Sequence, residues 1–435
     1  MATKKWPRLA AGFACLALAA AASACSSSSS SSGSSTSAPS ASATSAAASS
    51  AATASNLKGA PVVIGSMYPI SANIATFPQL QYMAQIAVDT VNANGGIKGK
   101  PLQWVHCDDK GDPNVAATCA NQLINTDKVR AFVESVGLEG NVAWPLIKKA
   151  DIINWFNVPI WPEDGTSPLS YPAGLGIYAH QNVGLLVKQG EFKKVDCIGA
   201  AGAFIGPICD FAKAGLAAKG VTNFNIVTYP GTTTAFQPYA QKIAADGADA
   251  VVVVASDTIT APILQALSDA GVKATILEPS TSVGTQSLQV AKADGIPLRV
   301  AGSWAVDPAM FPARQQMLAN VQKYASSVGA PPNFDTSSDN AFNMYQGILS
   351  LAAVMNGAKS LSTPDLQAYI ATHPIATGVA PPLDWAKPGP IRGNPRIVQI
   401  FGTPETVDGS GGLVSASHAW ASGFATGSDV TCCSS

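Results

Sequence analysis

Short apolar runs alternate along the chain with segments whose apolar residues recur at helical spacing. The first unit runs from the apolar residues 62–65 through a helical pattern at 80–91 to a second apolar run at 102–106. No tight hairpin turn joins these runs, and strands connected through a helix pair in parallel. The pattern predicts a β-α-β-α order and a parallel sheet.

A second series of the same kind begins near Gly176. Apolar runs at 195–199, 226–229 and 250–254 are separated by helical patterns, and the last of them, Ala-Val-Val-Val-Val, contains no polar residue. Such uninterrupted strands are typical of sheets covered by helices on both faces. The sequence therefore predicts two doubly wound α/β lobes, with any ligand at the carboxyl ends of their strands. A final strand is predicted near 396–401, ahead of an irregular Gly-rich tail.

Composition narrows the function classes. The 435 residues include 26 Lys and Arg against 27 Asp and Glu, a net charge of −1. This balance excludes a nucleic-acid binder that relies on bulk charge. The length is sufficient for two or three hydrophobic cores.

The N-terminal residues have the pattern of an export signal. Lys4, Lys5 and Arg8 precede an uncharged run, which ends in an Ala-Ser-Ala-Cys sequence at Cys25. The run is too short to span a bilayer. A Cys after two small residues resembles the lipobox of bacterial lipoproteins, which implies that residues 1–24 are removed and that Cys25 is lipidated. Ordinary signal-peptidase cleavage at the same place remains the alternative.

Residues 26–56 consist almost entirely of Ser, Ala and Thr, without a charge or an aromatic ring. A segment of this composition cannot bury enough apolar surface to fold. At about 30 residues it would reach roughly 30 Å as a flexible coil. We therefore predict that residues 25–56 form the lipidated Cys and a disordered tether.

Two cysteine pairs share one spacing. Cys107 and Cys119 are twelve residues apart, as are Cys197 and Cys209, and each pair joins a strand end to the next helix. In an exported chain this favours two local disulfides, with buried free thiols as the alternative. Cys432 and Cys433 near the C-terminus receive no assignment.

Patterns that carry catalysis or metal binding are weak. No two of the four histidines, His106, His180, His373 and His418, have metal-ligand spacing, so no metal site is predicted. Asp108, Asp109 and Asp112 could hold a cation, but Asp112 before a Pro is more typical of a helix N-cap. The loop around Ser410 lacks the Gly-x-Ser-x-Gly order of serine hydrolases.

The sequence AVDTVNANGGIKGKPL at 87–102, followed by Cys-Asp-Asp at 107–109, resembles the Leu/Ile/Val-binding family. These are the branched-chain amino-acid-type substrate-binding lipoproteins of ABC importers. Gly95 and Gly96 would end the helix where positive φ is needed. The resemblance implies a type 1 periplasmic-binding fold, with hinge crossings near Gly176, Trp304 and Ile375. Lobe 1 would then comprise 57–176 and 305–375, and lobe 2 would comprise 177–304 and 376–435.

The same resemblance implies that ligand contacts come from the loops after the strands. Those loops contain Ser71, Phe77, Gly137, Leu138, Trp161, Phe204, Asp257, Ser280 and Thr281. The family's usual Ser-rich loop is replaced by Val-Gly-Leu at 136–138, which argues against a branched-chain amino acid. Phe77, Trp161 and Phe204 as apolar walls and Asp257 as the partner of a cation favour a small apolar or aromatic molecule.

The sequence thus predicts a non-enzymatic solute-binding lipoprotein on the outer face of the cytoplasmic membrane. It would need no cofactor, act as a monomer, bind an amino acid, amide or small apolar compound, and deliver it to the transmembrane subunits of an ABC permease. The protein would contact the membrane only through its lipid anchor. It would not bind nucleic acid. Two alternatives stay open: an extracellular ligand sensor of the same fold, and a secreted hydrolase that uses Ser410.

Overall fold

A computed structural model describes residues 57–71, 75–135, 137, 139–202, 204–304, 306, 311–391, 393–400, 402–416 and 420–423. The export signal, Cys25, the tether, Leu138, His418, Cys432 and Cys433 lie outside these residues. No described helix combines the length and apolar character needed to cross a membrane.

The first part of the chain alternates strands and helices as the sequence predicts. In chain order the elements are β1 Val62–Met67, α1 Gln79–Ala93, β2 Leu102–Cys107, α2 Pro113–Asn121, β3 Ala131–Val133, α3 Gly140–Ala150, β4 Ile153–Trp155, α4 Pro162–Thr166 and β5 Ser170–Tyr171. A short π-helical turn, Gln122–Thr126, follows α2, and the 3-10 segment Gly176–Leu186 leads out of this part.

The second part continues the alternation and ends in two further strands. Its elements are β6 Lys194–Ala200, α5 Ile205–Ala217, β7 Asn223–Tyr229, α6 Gln237–Asp246, β8 Ala250–Val254, α7 Asp257–Asp269, β9 Thr275–Pro279, α8 Thr285–Asp294, β10 Leu298–Gly302, α9 Pro312–Tyr324, α10 Asp339–Gly357, α11 Thr363–Ile370, β11 Thr403–Val407 and β12 Leu413–Ser415.

The strands form two sheets with the same core order. The first sheet runs β2-β1-β3-β4-β5, and all its pairs are parallel. The second runs β12-β11-β10-β9-β8-β6-β7, and its five strands from β6 to β10 are parallel. In both sheets the first strand lies between the second and the third, so each has a switch point at the carboxyl end of its first strand. This confirms the predicted fold class.

The turn after α1 confirms a local prediction. Gly95 and Gly96 have φ of 99° and 65°, which L-residues with side chains rarely adopt. A Cβ at Gly96 would lie 2.1 Å from the Lys100 carbonyl oxygen. The two glycines therefore allow the chain to leave the helix and return directly into β2.

The C-terminal region differs from the prediction. Residues 396–400 form no strand, and the last two strands, β11 and β12, pair antiparallel instead. The loop between them contains Ser410, and it closes because the Asp408 carboxylate accepts hydrogen bonds from the amides of Ser410 and Gly412 at 2.8 and 2.9 Å. The loop predicted as a weak hydrolase motif is thus a hairpin turn held by its own Asp.

The chain near Ile375, where the resemblance implies a third crossing, packs with the first sheet. Ile375, Trp385 and Ile397 are buried in the same core as α1, α10 and the first sheet, because their apolar side chains extend that core. The chain joins the second sheet only at Thr403, where β11 pairs with β10. Residues 376–400 therefore pack with the first sheet.

Both predicted disulfides are present. The Cα atoms of Cys107 and Cys119 are 5.5 Å apart and those of Cys197 and Cys209 are 6.0 Å apart, within the usual range. The first bond ties the carboxyl end of β2 to α2, and the second ties the middle of β6 to α5.

The acidic group beside the first disulfide is structural. Asp112 accepts hydrogen bonds from the amides of Asn114 and Val115 at 2.8 and 3.1 Å, which confirms its role as the N-cap of α2. Asp108 accepts from the Ser71 hydroxyl and the Ile70 amide. Among the residues that the structure describes, no group of three or more His, Cys, Asp or Glu could hold a metal ion.

Candidate functional site

A cavity of about 270 Å³ lies between the two sheets. Its walls come from the start of α1, from the starts of α7 and α8 in the second lobe, and from the loop that leads into α10. The lining residues are Thr76, Phe77, Pro78, Gln79, Tyr82, Ser256, Asp257, Thr258, Thr281, Thr285, Gln286, Pro331, Asn333, Phe334, Asp335, Ser338 and Asn340.

The cavity lies where the topology predicts a ligand. Phe77 follows β1 at the switch point of the first sheet, and Asp257 follows β8 beside the switch point of the second. Thr281 comes after the neighbouring strand β9. In doubly wound sheets the loops separate at this position and leave a crevice. Three of the predicted ligand residues, Phe77, Asp257 and Thr281, are brought together here.

Aromatic rings form one side of the cavity. Phe77 is almost fully buried, and its amide donates to the Pro69 carbonyl at 3.0 Å, which fixes the loop after β1. The rings of Tyr82 and Phe334 meet edge to face at 5.5 Å. These rings can cover an apolar group of a ligand, or a cation can lie against the face of a ring.

Asp257 holds the start of α8 against the start of α7. Its carboxylate accepts the Gln286 amide at 3.2 Å, the Ser287 amide at 2.9 Å and the Ser287 hydroxyl at 2.7 Å. Only 7% of the residue is exposed. All of these donors are neutral, and no cationic side chain among the described residues bonds to Asp257 at the cavity wall.

Asp335 has a similar environment on the loop before α10. Its carboxylate accepts the amides of Ser337 and Ser338 at 2.8 and 3.2 Å, and the Gln79 side-chain amide of α1 at 3.4 Å. Burial, and next the nearby charge of Asp257, raise the pKa of Asp335 above its usual range. Asp257 is therefore close enough to affect the pKa of Asp335.

Gly284 marks the point at which these two acids converge. A Cβ on Gly284 would lie 2.7 Å from the Asp257 carboxyl carbon and 2.9 Å from that of Asp335. A glycine is needed here because any side chain would displace one of the carboxyl groups. The packing brings two acids from distant parts of the sequence to one wall.

Further buried charge lies behind Asp335. Arg314 of α9 is buried, donates to the Thr336 carbonyl at 2.7 Å and stacks over the Phe342 ring. Burial raises the pKa of Asp339 to about 6, although hydrogen bonds from Ser280 and Ser303 and the charge of Arg314 oppose this. Burial also raises the pKa of Glu405 on β11 well above its usual range. Acidic groups outnumber the basic group in this region.

Trp161 and Phe204 contact each other between the lobes. Their rings meet edge to face at 5.4 Å, and the Trp161 indole N–H donates to the Gly137 carbonyl at 2.8 Å. The hydroxyls of Thr76 and Thr258 form a second contact across the cleft at 3.2 Å. Trp161 and Phe204 lie outside the cavity wall and join the lobes beside it.

The other predicted ligand residues have different surroundings. Ser71 is exposed, and its hydroxyl donates to Asp108 at 2.6 Å. Ser280 is fully buried, where its hydroxyl donates to the Ala301 carbonyl and accepts the Ser303 amide. Gly137 borders a much smaller cavity of about 20 Å³. Leu138 is outside the described residues.

Several cavity residues were not predicted from the sequence. Tyr82, Thr285, Phe334 and Asp335 line the cavity but belong to no motif and, except for Thr285, do not follow a strand. The rule of strand-end loops gives no signal for Tyr82, Phe334 or Asp335. Asp335 could be found only from the path of the chain, which returns to the cleft just before α10.

Comparison with known proteins agrees with this architecture. Residues 61–400 match the family model described as periplasmic binding protein. The chain belongs to this family. A curated relative from Pseudomonas aeruginosa, named amino acid binding protein, is 27% identical over 78% of this chain and 90% of its own length. A Leu/Ile/Val-binding protein homolog from Brucella melitensis is 27% identical over 50% of this chain and 61% of its own length.

Solved structures of periplasmic binding proteins share the fold at low identity. A fatty acid ABC transporter substrate-binding protein from Thermomonospora curvata has a TM-score of 0.67 at 17% identity, over 84% of this chain and 93% of that protein. A solute-binding protein of Rhodopseudomonas palustris, in complex with 4-hydroxybenzoate, has a TM-score of 0.68 at 17% identity, over 83% and 97%. These likenesses concern the fold.

Family membership answers several of the questions left by the sequence. The protein is a ligand-binding periplasmic binding protein of the branched-chain amino-acid type, and not an enzyme. This removes the hydrolase alternative. Membership also implies an exported protein that works outside the cytoplasm, in agreement with the two disulfides.

Proposed function

We propose that the protein is the substrate-binding lipoprotein of an ABC importer, that it binds one small molecule in the cavity between its lobes, and that it delivers this molecule to a membrane permease. The observation that carries the proposal is the cavity itself. It is bounded by both lobes and by the loop before α10, so its walls can separate and meet only if the lobes move.

Closure follows from the preference of the ligand for the closed form. A small molecule that touches Phe77 on one lobe and Thr281 on the other gains both sets of contacts only when the lobes are together. The Thr76–Thr258 hydrogen bond and the Trp161–Phe204 contact also stabilise the closed form. We propose that the permease recognises this closed form and that the protein acts as a monomer.

The size and walls of the cavity support a small ligand. About 270 Å³ is slightly below the ~300 Å³ at which pockets for drug-sized ligands begin. Relatives are named for amino acids, and a structural neighbour holds 4-hydroxybenzoate. An amino acid, an amine or amide, or a small aromatic compound fits these limits.

Identification of the bound molecule tests the proposal directly. The protein is purified from its own host without added ligand and denatured, and the released small molecules are identified by mass spectrometry. The variant Thr285→Trp places a large ring in the cavity wall, whereas Thr232→Trp places the same ring on an exposed loop. A compound released by the wild type and Thr232→Trp, but not by Thr285→Trp, is expected. The same compounds from all three proteins would contradict binding in the cavity.

Delivery needs a separate measurement. Uptake of the identified compound is expected to fall when the gene is deleted and to return when it is restored. Unchanged uptake, with binding intact, would leave the extracellular sensor as the function.

For the proposed anchor at Cys25, Cys25→Ser is expected to release the protein from the membrane fraction, and retention there would argue against lipidation.

A further inference from the structure

We propose that the cavity selects a ligand with a positively charged nitrogen and no carboxylate, and that Asp257 and Asp335 together hold this nitrogen. The inference rests on the proposed function, since it assigns a chemical class to the same cavity. It goes beyond the predicted role of Asp257 because it adds a second acid and excludes an acidic ligand.

The first argument is the proximity of two buried acids. Both carboxyl carbons lie within 2.9 Å of the single point where a Cβ of Gly284 would stand. Asp257 and Asp335 are only 7% and 8% exposed, so water screens their repulsion poorly. Two like charges at this spacing are stable together only when a proton or a cation neutralises one of them. A ligand cation that reaches both carboxyl groups from the cavity would supply that neutralisation.

The protein offers no cation of its own at the cavity wall. Among the described residues that line the cavity, none is Lys, Arg or His. Arg314 lies behind Asp335, where their charges interact, but it is not part of the cavity wall and donates its hydrogen bond to the Thr336 carbonyl. The missing positive charge is therefore expected to come from the ligand.

Four backbone amides that could bind a ligand carboxylate are already occupied. Backbone amides at helix starts are the usual anion site in such clefts. Here the Gln286 and Ser287 amides of α8 donate to Asp257, and the Ser337 and Ser338 amides before α10 donate to Asp335. A carboxylate placed near either helix would meet a negative charge instead of free N–H donors. This disfavours both an acid such as benzoate and a zwitterionic amino acid.

The aromatic side of the cavity suits the same ligand. Phe77, Tyr82 and Phe334 line the cavity together with the two acids. Ring faces attract a cation, and they attract it more strongly where the site is desolvated. The rings can therefore cover the carbon substituents of an amine whose nitrogen lies between the carboxylates.

A matched set of probes tests the charge requirement. Calorimetric titration of the purified protein uses four compounds that share one phenyl ring: phenethylamine, phenethyl alcohol, 3-phenylpropanoate and phenylalanine. Choline and putrescine serve as two further cationic probes without a phenyl ring. At least one amine is expected to bind tenfold or more tightly than the alcohol, the acid and the amino acid.

Two variants identify the residues that recognise the amine. Asp257→Asn and Asp335→Asn each keep an oxygen acceptor but remove a charge, and each is expected to weaken amine binding at least tenfold. Asp112→Asn is the matched control, because Asp112 also accepts two helix-start amides but lies on α2 outside the cavity wall. It is expected to leave amine binding unchanged. Melting temperatures of all three variants check that they fold.

Each outcome decides the inference. Tighter binding of 3-phenylpropanoate or phenylalanine than of any amine would overturn it, while small-molecule binding in the cavity would stand. Binding of none of the probes would overturn it as well, and the released-compound experiment would then judge the proposed function separately. Stabilisation by Ca²⁺ alone, lost in both cavity variants, would instead assign the acid pair to a metal.

Discussion

Glu278 shows how a single buried residue sets a property of the second sheet. It lies near the end of β9, is fully buried, and one carboxylate oxygen accepts the Val253 amide at 2.6 Å. The other oxygen has no partner among the described residues. Burial raises the pKa of Glu278 well above its usual value of 4.5, against the opposing effect of the Val253 hydrogen bond. The folded protein therefore favours the protonated side chain.

The variant Glu278→Gln is expected to be more stable than the wild type at alkaline pH. Because the pKa of Glu278 is raised on folding, its contribution to stability is present below the unfolded pKa and is lost as pH rises toward the folded pKa. The loss is at most about 1.4 kcal/mol per pH unit. The free energy of unfolding, measured in urea from pH 5 to pH 8, is expected to show a widening advantage for the variant. Glu163→Gln, at a side chain that is 33% exposed, is the control, and a constant difference for Glu278→Gln would contradict the explanation.

At the scale of elements, the sequence predicts those strands and helices that a local pattern of apolar residues specifies. The parallel strands β1, β2, β6, β7 and β8 are confirmed because each has its own apolar run and a following helix. The hairpin of β11 and β12 was missed because Thr403–Val407 contains a Pro and polar residues and becomes a strand only by pairing with β10. The site residues also fall into those that a local pattern predicts and those that it does not. Phe77, Asp257 and Thr281 follow strands, whereas Asp335 reaches the cavity through chain path alone.

Each disulfide is expected to stabilise one strand-helix unit. The variants Cys107→Ala/Cys119→Ala and Cys197→Ala/Cys209→Ala should each lose about 2 to 3 kcal/mol of unfolding free energy, since each bond closes a loop of about 13 residues. Denaturant unfolding with and without a reducing agent measures this. Reduction should destabilise each variant less than it destabilises the wild type. Unchanged unfolding midpoints would show that the bonds add nothing to the folded state.

At the scale of the whole molecule, the Trp161–Phe204 pair is expected to help hold the lobes together. The two rings come from opposite lobes, and an edge-to-face pair contributes about 0.5 to 1.5 kcal/mol. Trp161→Ala or Phe204→Ala should therefore weaken ligand affinity by roughly two- to tenfold. The effect should come mainly from faster dissociation, without a change in ligand preference.

A double-mutant cycle on the identified ligand separates this contact from other effects of the two substitutions. The two changes are expected to be less than additive, because either one removes the same interaction. Tyr239→Ala is the control, since its ring meets Tyr229 edge to face within the second lobe. Additive effects of Trp161→Ala and Phe204→Ala, or an altered order of ligand affinities, would contradict a role in closure.

The first lobe is completed by residues that are far from its beginning in the sequence. Asn356 near the end of α10 accepts the Lys98 amide at 2.6 Å and donates to the Gly96 carbonyl at 3.0 Å, across about 260 residues. A polypeptide that crosses a membrane from its N-terminus delivers Gly96 long before Asn356. The early segment must therefore wait, without its partner helix, until most of the chain has been translocated. The first lobe can therefore be completed only on the far side of the membrane.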